Sequence, residues 1–137
     1  MKRAFSCRIY GVLLREGKVL LTRSTFQGRE FVNFPGGGID AGEAPGAALL
    51  REFREETGLE VRPVRTLYAS EGLHESTTKP FQLLSIYWLV EETGGRLREG
   101  GNGDDVVALF WAPLAEIPTA EMFPSDKEFV SKLSTLL

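Results

Sequence analysis

The chain has 137 residues, of which 42% are hydrophobic and 26% charged, and this size and composition predict one globular domain over residues 1–137. Its single cysteine and single histidine exclude an internal disulfide and a zinc or iron–sulfur cage. The net charge of −3 argues against nucleic acid or an anionic membrane surface as the main partner. No apolar run approaches the roughly 20 residues of a membrane helix. We therefore expect a cytoplasmic protein without an export or membrane segment.

The first third of the chain is predicted to form short strands. Residues 5–12 alternate with the period of a strand, and the mostly apolar residues 19–22 follow them across Gly17, which predicts a hairpin. A third apolar segment, residues 31–34, ends at 35–38, where three successive glycines allow backbone conformations closed to other residues. We expect residues 35–38 to form a loop.

A helix is predicted over residues 45–57. Gly46, Leu50, Phe53 and Thr57 recur at spacings of four, three and four, which is typical of one helix face. Gly58 follows at the usual stop position. We expect these four residues to form the buried face.

The remaining chain contains β-rich runs and a closing helix. Residues 61–70 and 81–90 are predicted strands, the second ending in a turn over 91–95, and 106–111 is a further strand. Residues 125–136 show the pattern of an amphipathic helix. This order of elements predicts an α/β or α+β sandwich with a mixed sheet between helices.

Three carboxylates gather on one side of the first helix. Glu52, Glu55 and Glu56 stand at i, i+3 and i+4 and project within about 100° of one another. Two such charges roughly 6 Å apart repel by about 3 kcal/mol at an effective dielectric of 20. A divalent cation would remove that repulsion, and hard oxygen ligands favour Mg²⁺ or Mn²⁺ over zinc. The alternative is an ordinary solvated helix face.

The spacing around these glutamates follows a known motif. Its positions are Gly37, five residues, Glu43, seven residues, Arg51-Glu52-Phe53, one residue, Glu55-Glu56, one residue, and Gly58-Leu59. This pattern is similar at every defining position to the Nudix box of the Nudix hydrolase superfamily. Two departures are minor, since Phe53 replaces a commoner aliphatic residue and Ala44 stands where a capping Ser or Thr is frequent.

The resemblance implies both a fold and a reaction. It implies an α/β/α sandwich, with the Nudix helix in the centre of the sequence and a second helix at its end. Nudix enzymes hydrolyse a nucleoside diphosphate linked to another moiety, with water attacking a phosphorus of the pyrophosphate. Carried over to this sequence, Glu52, Glu55 and Glu56 would hold one to three Mg²⁺ or Mn²⁺ ions, and the carbonyl of Gly37 could add a ligand.

The general base varies within the superfamily, and the resemblance leaves two options. One is a box glutamate, Glu55 or Glu56. The other is a carboxylate in the later glycine-rich segment, which contains Glu99, Asp104 and Asp105; we choose Asp105 as the fourth acidic ligand or base. Arg51 and Glu43 are expected to brace the loop and helix, with contact of Arg51 to a phosphate as the alternative.

Candidate substrate-binding residues lie outside the motif. The aromatic candidates for stacking on a base are Phe26, Phe34, Tyr68, Tyr87 and Phe123, although most aromatics are expected in the core. Residues 123–126 resemble the segment with which mutator-type members read an oxidised purine, but Asp126 stands where those carry Asn. His74 could act as an acid or base or contact a phosphate, or be incidental. The Pro of ADP-ribose hydrolases and the Tyr of diadenosine polyphosphate hydrolases are absent from residues 73–77.

We therefore expect a hydrolase of nucleoside triphosphates or related nucleotides that acts as a monomer or homodimer. Hydrolysis of ADP-ribose, nucleotide sugars or dinucleoside polyphosphates is the first alternative. A Nudix module that senses nucleotides without turnover is an alternative of another class.

Overall fold

The computed structural model describes residues 4–76 and 79–137. Its strands are β1 (Ala4–Arg15), β2 (Lys18–Phe26), β3 (Arg29–Asn33), β4 (Gly36–Gly38), β5 (Leu59–Ala69), β6 (His74–Glu75), β7 (Phe81–Gly95) and β8 (Val106–Pro113). Its helices are α1 (Pro45–Thr57) and α2 (Pro124–Leu136), with two short 3₁₀ turns at Leu114–Glu116 and Thr119–Glu121. In the described ranges, no helix has the length and apolarity to cross a membrane.

The strands form one mixed sheet around a parallel pair. Its path runs β3-β2-β1-β7-β5, while β4 pairs with β1, β6 with β7 and β8 with β2. The β1 and β7 strands are parallel, and the other pairs are antiparallel. The predicted hairpin around Gly17 is confirmed, because Leu14 lies opposite Val19 across the turn.

The two helices cover opposite faces of the sheet. Alternate residues of β1 enter different hydrophobic clusters, as expected for a strand buried on both faces. Ile9 and Leu13 pack in the cluster that contains Phe53 of α1, whereas Val12 packs in the cluster that contains Phe129 of α2. The predicted α/β/α sandwich is confirmed.

Two segments predicted as irregular are strands. The glycines at 36–38 form β4, which pairs antiparallel with Arg8, Ile9 and Tyr10 of β1, so the prediction of a loop over 35–38 was wrong for these residues. The turn predicted at 91–95 was also wrong. This segment extends β7 and pairs with the start of β5, where Leu59 lies opposite Gly95. In both segments backbone hydrogen bonds to a distant strand outweigh the turn preference of glycine.

The predicted helix is confirmed over 45–57, but its buried face is rotated from the predicted one. Its buried residues are Ala48, Leu49, Phe53, Glu56 and Thr57. Leu50 is only partly buried at the margin of the α1-side cluster. Leu49 and Leu50 stand four and three residues before Phe53, and both spacings fit one helix face. The periodicity therefore does not show which of the two leucines is buried. The rotation carries Glu56 into the interior.

Candidate active site

The glycine strand β4 contacts the carboxylates of two of the predicted glutamates. The backbone N–H of Gly36 donates a 2.9 Å hydrogen bond to Oε1 of Glu56. A Cβ atom on Gly37 would lie 2.8 Å from the carboxyl carbon of Glu52, so the missing side chain gives the Glu52 carboxylate room against the backbone. The local sequence thus brings both carboxylates from α1 onto β4.

An open cleft of about 650 Å³ lies beside these glutamates. Its lining residues are Glu52, Glu55, Glu56, Arg98, Gly101, Asn102, Asp104 and Asp105. The structure therefore brings together the three predicted glutamates and Asp105, although Asp105 lies far along the chain from α1. Glu99 is not among these lining residues.

Burial perturbs the carboxylates at the inner wall of the cleft. Glu56 is only 8% exposed. Burial raises the pKa of Glu56 to about 8; the charges of Glu52 and Asp105 add to this effect, and the Gly36 N–H opposes it. The pKa of Glu52 is also raised, chiefly by burial, against the opposing influence of Arg51. A strongly perturbed carboxyl in a cleft is a feature of functional sites.

Arg51 connects the helix with the loop before it. Its guanidinium donates to both oxygens of Glu43, at 2.7 and 3.0 Å, and to the carboxylates of Glu52 at 3.1 Å and Glu55 at 3.2 Å. The hydrogen bond from Arg51 lowers the pKa of Glu43. Arg51 also approaches the carbonyl of Gly38. These contacts match the expected bracing and hold the loop and two carboxylates at fixed relative positions.

Arg98, Gly101 and Asn102 line the cleft but were missed by the sequence reasoning. They belong to the same glycine-rich segment as Asp105. In that segment the sequence pattern indicated only the acidic residues as site candidates. Asn102 stands between two glycines, a turn signal that could have drawn attention to it.

The aromatic candidates divide into core and surface residues. Phe34 was assigned to substrate binding, and this assignment is corrected. Phe34 is 0% exposed and packs edge-on against Phe129 and Tyr87, so its ring has no free face for a base. Tyr87 is likewise buried. Phe123 remains 40% exposed and contacts Phe31.

Of the other two aromatic candidates, Tyr68 lies opposite Tyr87 in the sheet and packs against Phe129. The hydroxyl of Tyr68 donates to Glu128, and Phe26 is exposed.

Asp126 and His74 occupy polar positions away from the cleft lining. Asp126 is 3% exposed and accepts a 2.5 Å hydrogen bond from the hydroxyl of Tyr87. Burial raises the pKa of Asp126 to about 6. His74 contacts Glu128 at 2.9 Å through Nε2. Both side chains therefore bind partners within the protein. Of residues 73–77, which were searched for a Pro or a Tyr, Thr77 lies outside the described residues.

The donor set of the cleft fits a hard divalent cation. Five carboxylates line the cleft, and no thiolate or imidazole does, which matches the oxygen preference of Mg²⁺ and Mn²⁺. Within residues 4–76 and 79–137, no three His, Cys, Asp or Glu side chains already converge as a metal cage. Arg51 donates to one oxygen of Glu52 and one oxygen of Glu55.

Comparisons with known proteins identify the family. A family model described as the NUDIX domain matches residues 5–133. The chain is 28% identical over 135 residues to an 8-oxo-dGTP diphosphatase of Haemophilus influenzae, covering 90% of this chain and 87% of that protein. It is 46% identical over 57 residues to an RNA pyrophosphohydrolase of Actinobacillus succinogenes, covering 42% of this chain but only 28% of that protein.

The solved structures show the same fold. A NUDIX hydrolase from Nitrosomonas europaea superimposes with a TM-score of 0.81 at 18% identity, covering 96% of this chain and 89% of that one. The family match spans nearly the whole chain and includes the glutamates that line the cleft. The chain therefore belongs to the Nudix hydrolase family.

Proposed function

We propose that this protein hydrolyses the pyrophosphate bond of a nucleoside diphosphate linked to another moiety, with Mg²⁺ or Mn²⁺ as cofactor. The observation that carries the proposal is the meeting of Glu52, Glu55, Glu56 and Asp105 in one cleft beside Gly37. These like charges repel one another, and a divalent cation bound among them would offset the repulsion and could then bind a polyphosphate.

The residues proposed to hold the ion are Glu52, Glu55, Glu56 and Asp105, with the carbonyl of Gly37. A divalent ion bound there would neutralise pyrophosphate charge and favour deprotonation of the attacking water. Glu55, Glu56 and Asp105 are the candidates for the general base. In the metal-free protein burial raises the pKa of Glu56 to about 8, and a bound cation would favour its ionised form.

Nucleoside triphosphates are the proposed substrates. The support is the relative matched over 90% of the chain, which is an 8-oxo-dGTP diphosphatase. The exposed ring of Phe123 is available to stack on a base. ADP-ribose, nucleotide sugars and dinucleoside polyphosphates are the competing substrates. We propose a cytoplasmic enzyme that is monomeric or homodimeric.

The test is a substrate panel. It contains the nucleoside and deoxynucleoside triphosphates, including 8-oxo-dGTP, together with ADP-ribose, nucleotide sugars and dinucleoside polyphosphates, each with Mg²⁺ and with Mn²⁺. Glu52→Gln and Glu56→Gln should lower kcat at least about 100-fold, roughly 3 kcal/mol of transition-state stabilisation. Glu116→Gln, on an exposed 3₁₀ turn, is the matched control and should retain activity.

Two results would contradict the proposal. Unchanged turnover in both cleft variants would remove the metal assignment. If no compound were hydrolysed but a nucleotide raised the melting temperature, the protein would be a nucleotide sensor.

A further inference from the structure

The loop that carries Asp105 into the cleft is fastened to the C-terminal end of α1. The backbone N–H of Arg98 donates to the carbonyl of Thr57 at 2.9 Å. Its guanidinium reaches the last helical turn, where Nη2 donates to the carbonyl of Glu55 at 2.6 Å. Carbonyls at a helix C-terminus lack helical partners, and a cation there also complements the helix dipole. The base of the loop is therefore fixed relative to the helix that carries the glutamates.

Asn102 closes the tip of the same loop and contacts the Asp105 side chain. Its Oδ1 accepts the backbone N–H of Asp104 at 2.9 Å and of Val106 at 3.1 Å. Its Nδ2 donates to Oδ1 of Asp105 at 3.0 Å. The carbonyl of Asp105 accepts the N–H of Thr25 in β2 at 2.9 Å. Both the backbone and the carboxylate of Asp105 are thus held.

The amide of Asn102 is suited to both contacts at once. Its oxygen accepts the two loop N–H groups while its nitrogen donates to a carboxylate, a combination that Asp cannot provide and that Ser is too short to span. The amide is also neutral, so it orients Asp105 without neutralising its charge. Gly101 allows the close turn, because a Cβ there would lie 2.1 Å from the carbonyl oxygen of Val106 at a φ of +90°.

We propose that Asn102 is a positioning residue that orients the Asp105 carboxylate toward the glutamates of α1. This inference rests on the proposed function, in which Asp105 acts as the fourth acidic ligand or the base. A hydrogen bond to one carboxylate oxygen leaves the other for the cleft, and partners of this kind tune ligands in metal sites.

The test is a double-mutant cycle between Asn102→Ser and Asp105→Ala. Asn102→Ser should lower kcat/KM by about 10-fold, within the range for residues that orient a ligand. It should also weaken Mn²⁺ binding about 10-fold in the absence of substrate, measured by electron paramagnetic resonance of the free ion. In the Asp105→Ala background the same substitution should change neither quantity by more than about twofold, because the partner is gone.

A second variant tests whether lost activity merely reflects unfolding of the loop. Asn102→Asp keeps an oxygen for the two backbone N–H groups but faces Asp105 with a carboxylate, so turnover at pH 8 should fall although melting temperature is retained. Gly100→Asp adds the same charge to the same loop at a position where an added Cβ atom meets nothing within 4 Å, and it should keep wild-type turnover.

Three outcomes would overturn the inference: an equal loss from Asn102→Ser in both backgrounds, no loss in the presence of Asp105, or wild-type turnover in Asn102→Asp. Failure of the proposed function is distinguishable. It would appear as unchanged turnover in Glu52→Gln and Glu56→Gln, whereas loss in those variants with an unaffected Asn102→Ser would overturn the inference alone.

Discussion

Asp126 is a carboxyl group buried against the aromatic core. It is 3% exposed, and Tyr87, which donates to it, is 0% exposed. Burial raises the pKa of Asp126 to about 6, while the hydrogen bond from Tyr87 and the charges of Arg8 and His74 limit the rise. The protonated form is therefore favoured in the folded protein relative to the unfolded chain, whose Asp residues titrate near pH 4.

We predict that Asp126→Asn stabilises the protein at neutral pH. Between about pH 4 and pH 6 the folded state binds more protons at this position than the unfolded state, so the free energy of unfolding falls as pH rises. The total loss is on the order of 3 kcal/mol above pH 6, and an amide avoids it while still accepting from Tyr87. Urea unfolding of both proteins from pH 4 to 7 should show an advantage of the variant that grows with pH. A constant difference across this range would disprove the pKa assignment.

At the level of single elements, β4 contains one glycine that packs against the backbone of β1 and another that packs against a carboxylate of the cleft. A Cβ on Gly36 would lie 2.1 Å from the carbonyl oxygen of Ile9, at a φ of +150°. A Cβ on Gly37 would instead meet only the carboxyl end of Glu52, at 2.8 Å. The first obstacle is backbone and the second is the tip of a flexible side chain.

We predict opposite consequences for the two alanine substitutions. Gly36→Ala should lower the free energy of unfolding by about 3 kcal/mol or more, because β1 must move. Gly37→Ala should change the melting temperature by only a few degrees but lower kcat/KM at least about 10-fold by displacing Glu52. Thermal melts and steady-state kinetics of both variants test this. If Gly37→Ala unfolded the protein as severely as Gly36→Ala, the separation of roles would be wrong.

Helix α2 is tied to the segment between β5 and β6 by one carboxylate. The side chain of Glu128 accepts hydrogen bonds from the hydroxyl of Tyr68 at 2.7 Å and from the N–H groups of Glu71 and Gly72 at 2.7 and 2.8 Å. It also contacts His74 at 2.9 Å. Although burial acts to raise it, these contacts together lower the pKa of Glu128 to about 2.

We predict that Glu128→Gln lowers the free energy of unfolding by about 2 kcal/mol at pH 7, since an amide cannot accept from all four donors. The depressed pKa implies that the ionised carboxylate stabilises the fold above about pH 4.5 and that this contribution is lost as pH falls toward 2. The difference between the two proteins in urea unfolding should therefore shrink below pH 4. The exposed control Glu116→Gln should show no such difference. A gap that persisted unchanged at pH 2.5 would contradict the assignment.

For the molecule as a whole, the sequence predicted what depends on local spacing. The period of α1 brought Glu52 and Glu56 toward one another, and Gly58 marked its end, because helix geometry needs only neighbouring residues. The strand at 36–38 and the burial of Phe34 depend on partners elsewhere in the chain, β1 for the strand and Phe129 of α2 for the ring. The contacts of Asn102 are local, but their relation to the glutamates follows only from the placement of Asp105 beside α1 in the cleft. The assignment of residues 1–137 to one domain stays a prediction.

The concentration of acids in the cleft predicts that metal ions stabilise the entire fold. Burial raises the pKa of Glu56 to about 8, so its ionised form is disfavoured in the metal-free protein. An ion that binds only the folded state adds about 1.4 kcal/mol at ten times its dissociation constant. In EDTA at pH 9 we therefore expect the melting temperature of Glu56→Gln to exceed that of the wild type. In saturating Mg²⁺ or Mn²⁺ we expect the melting temperature to rise by several degrees only in the wild type and in Glu116→Gln. Equal gains in Glu56→Gln and in the wild type would mean that Glu56 does not bind the stabilising ion.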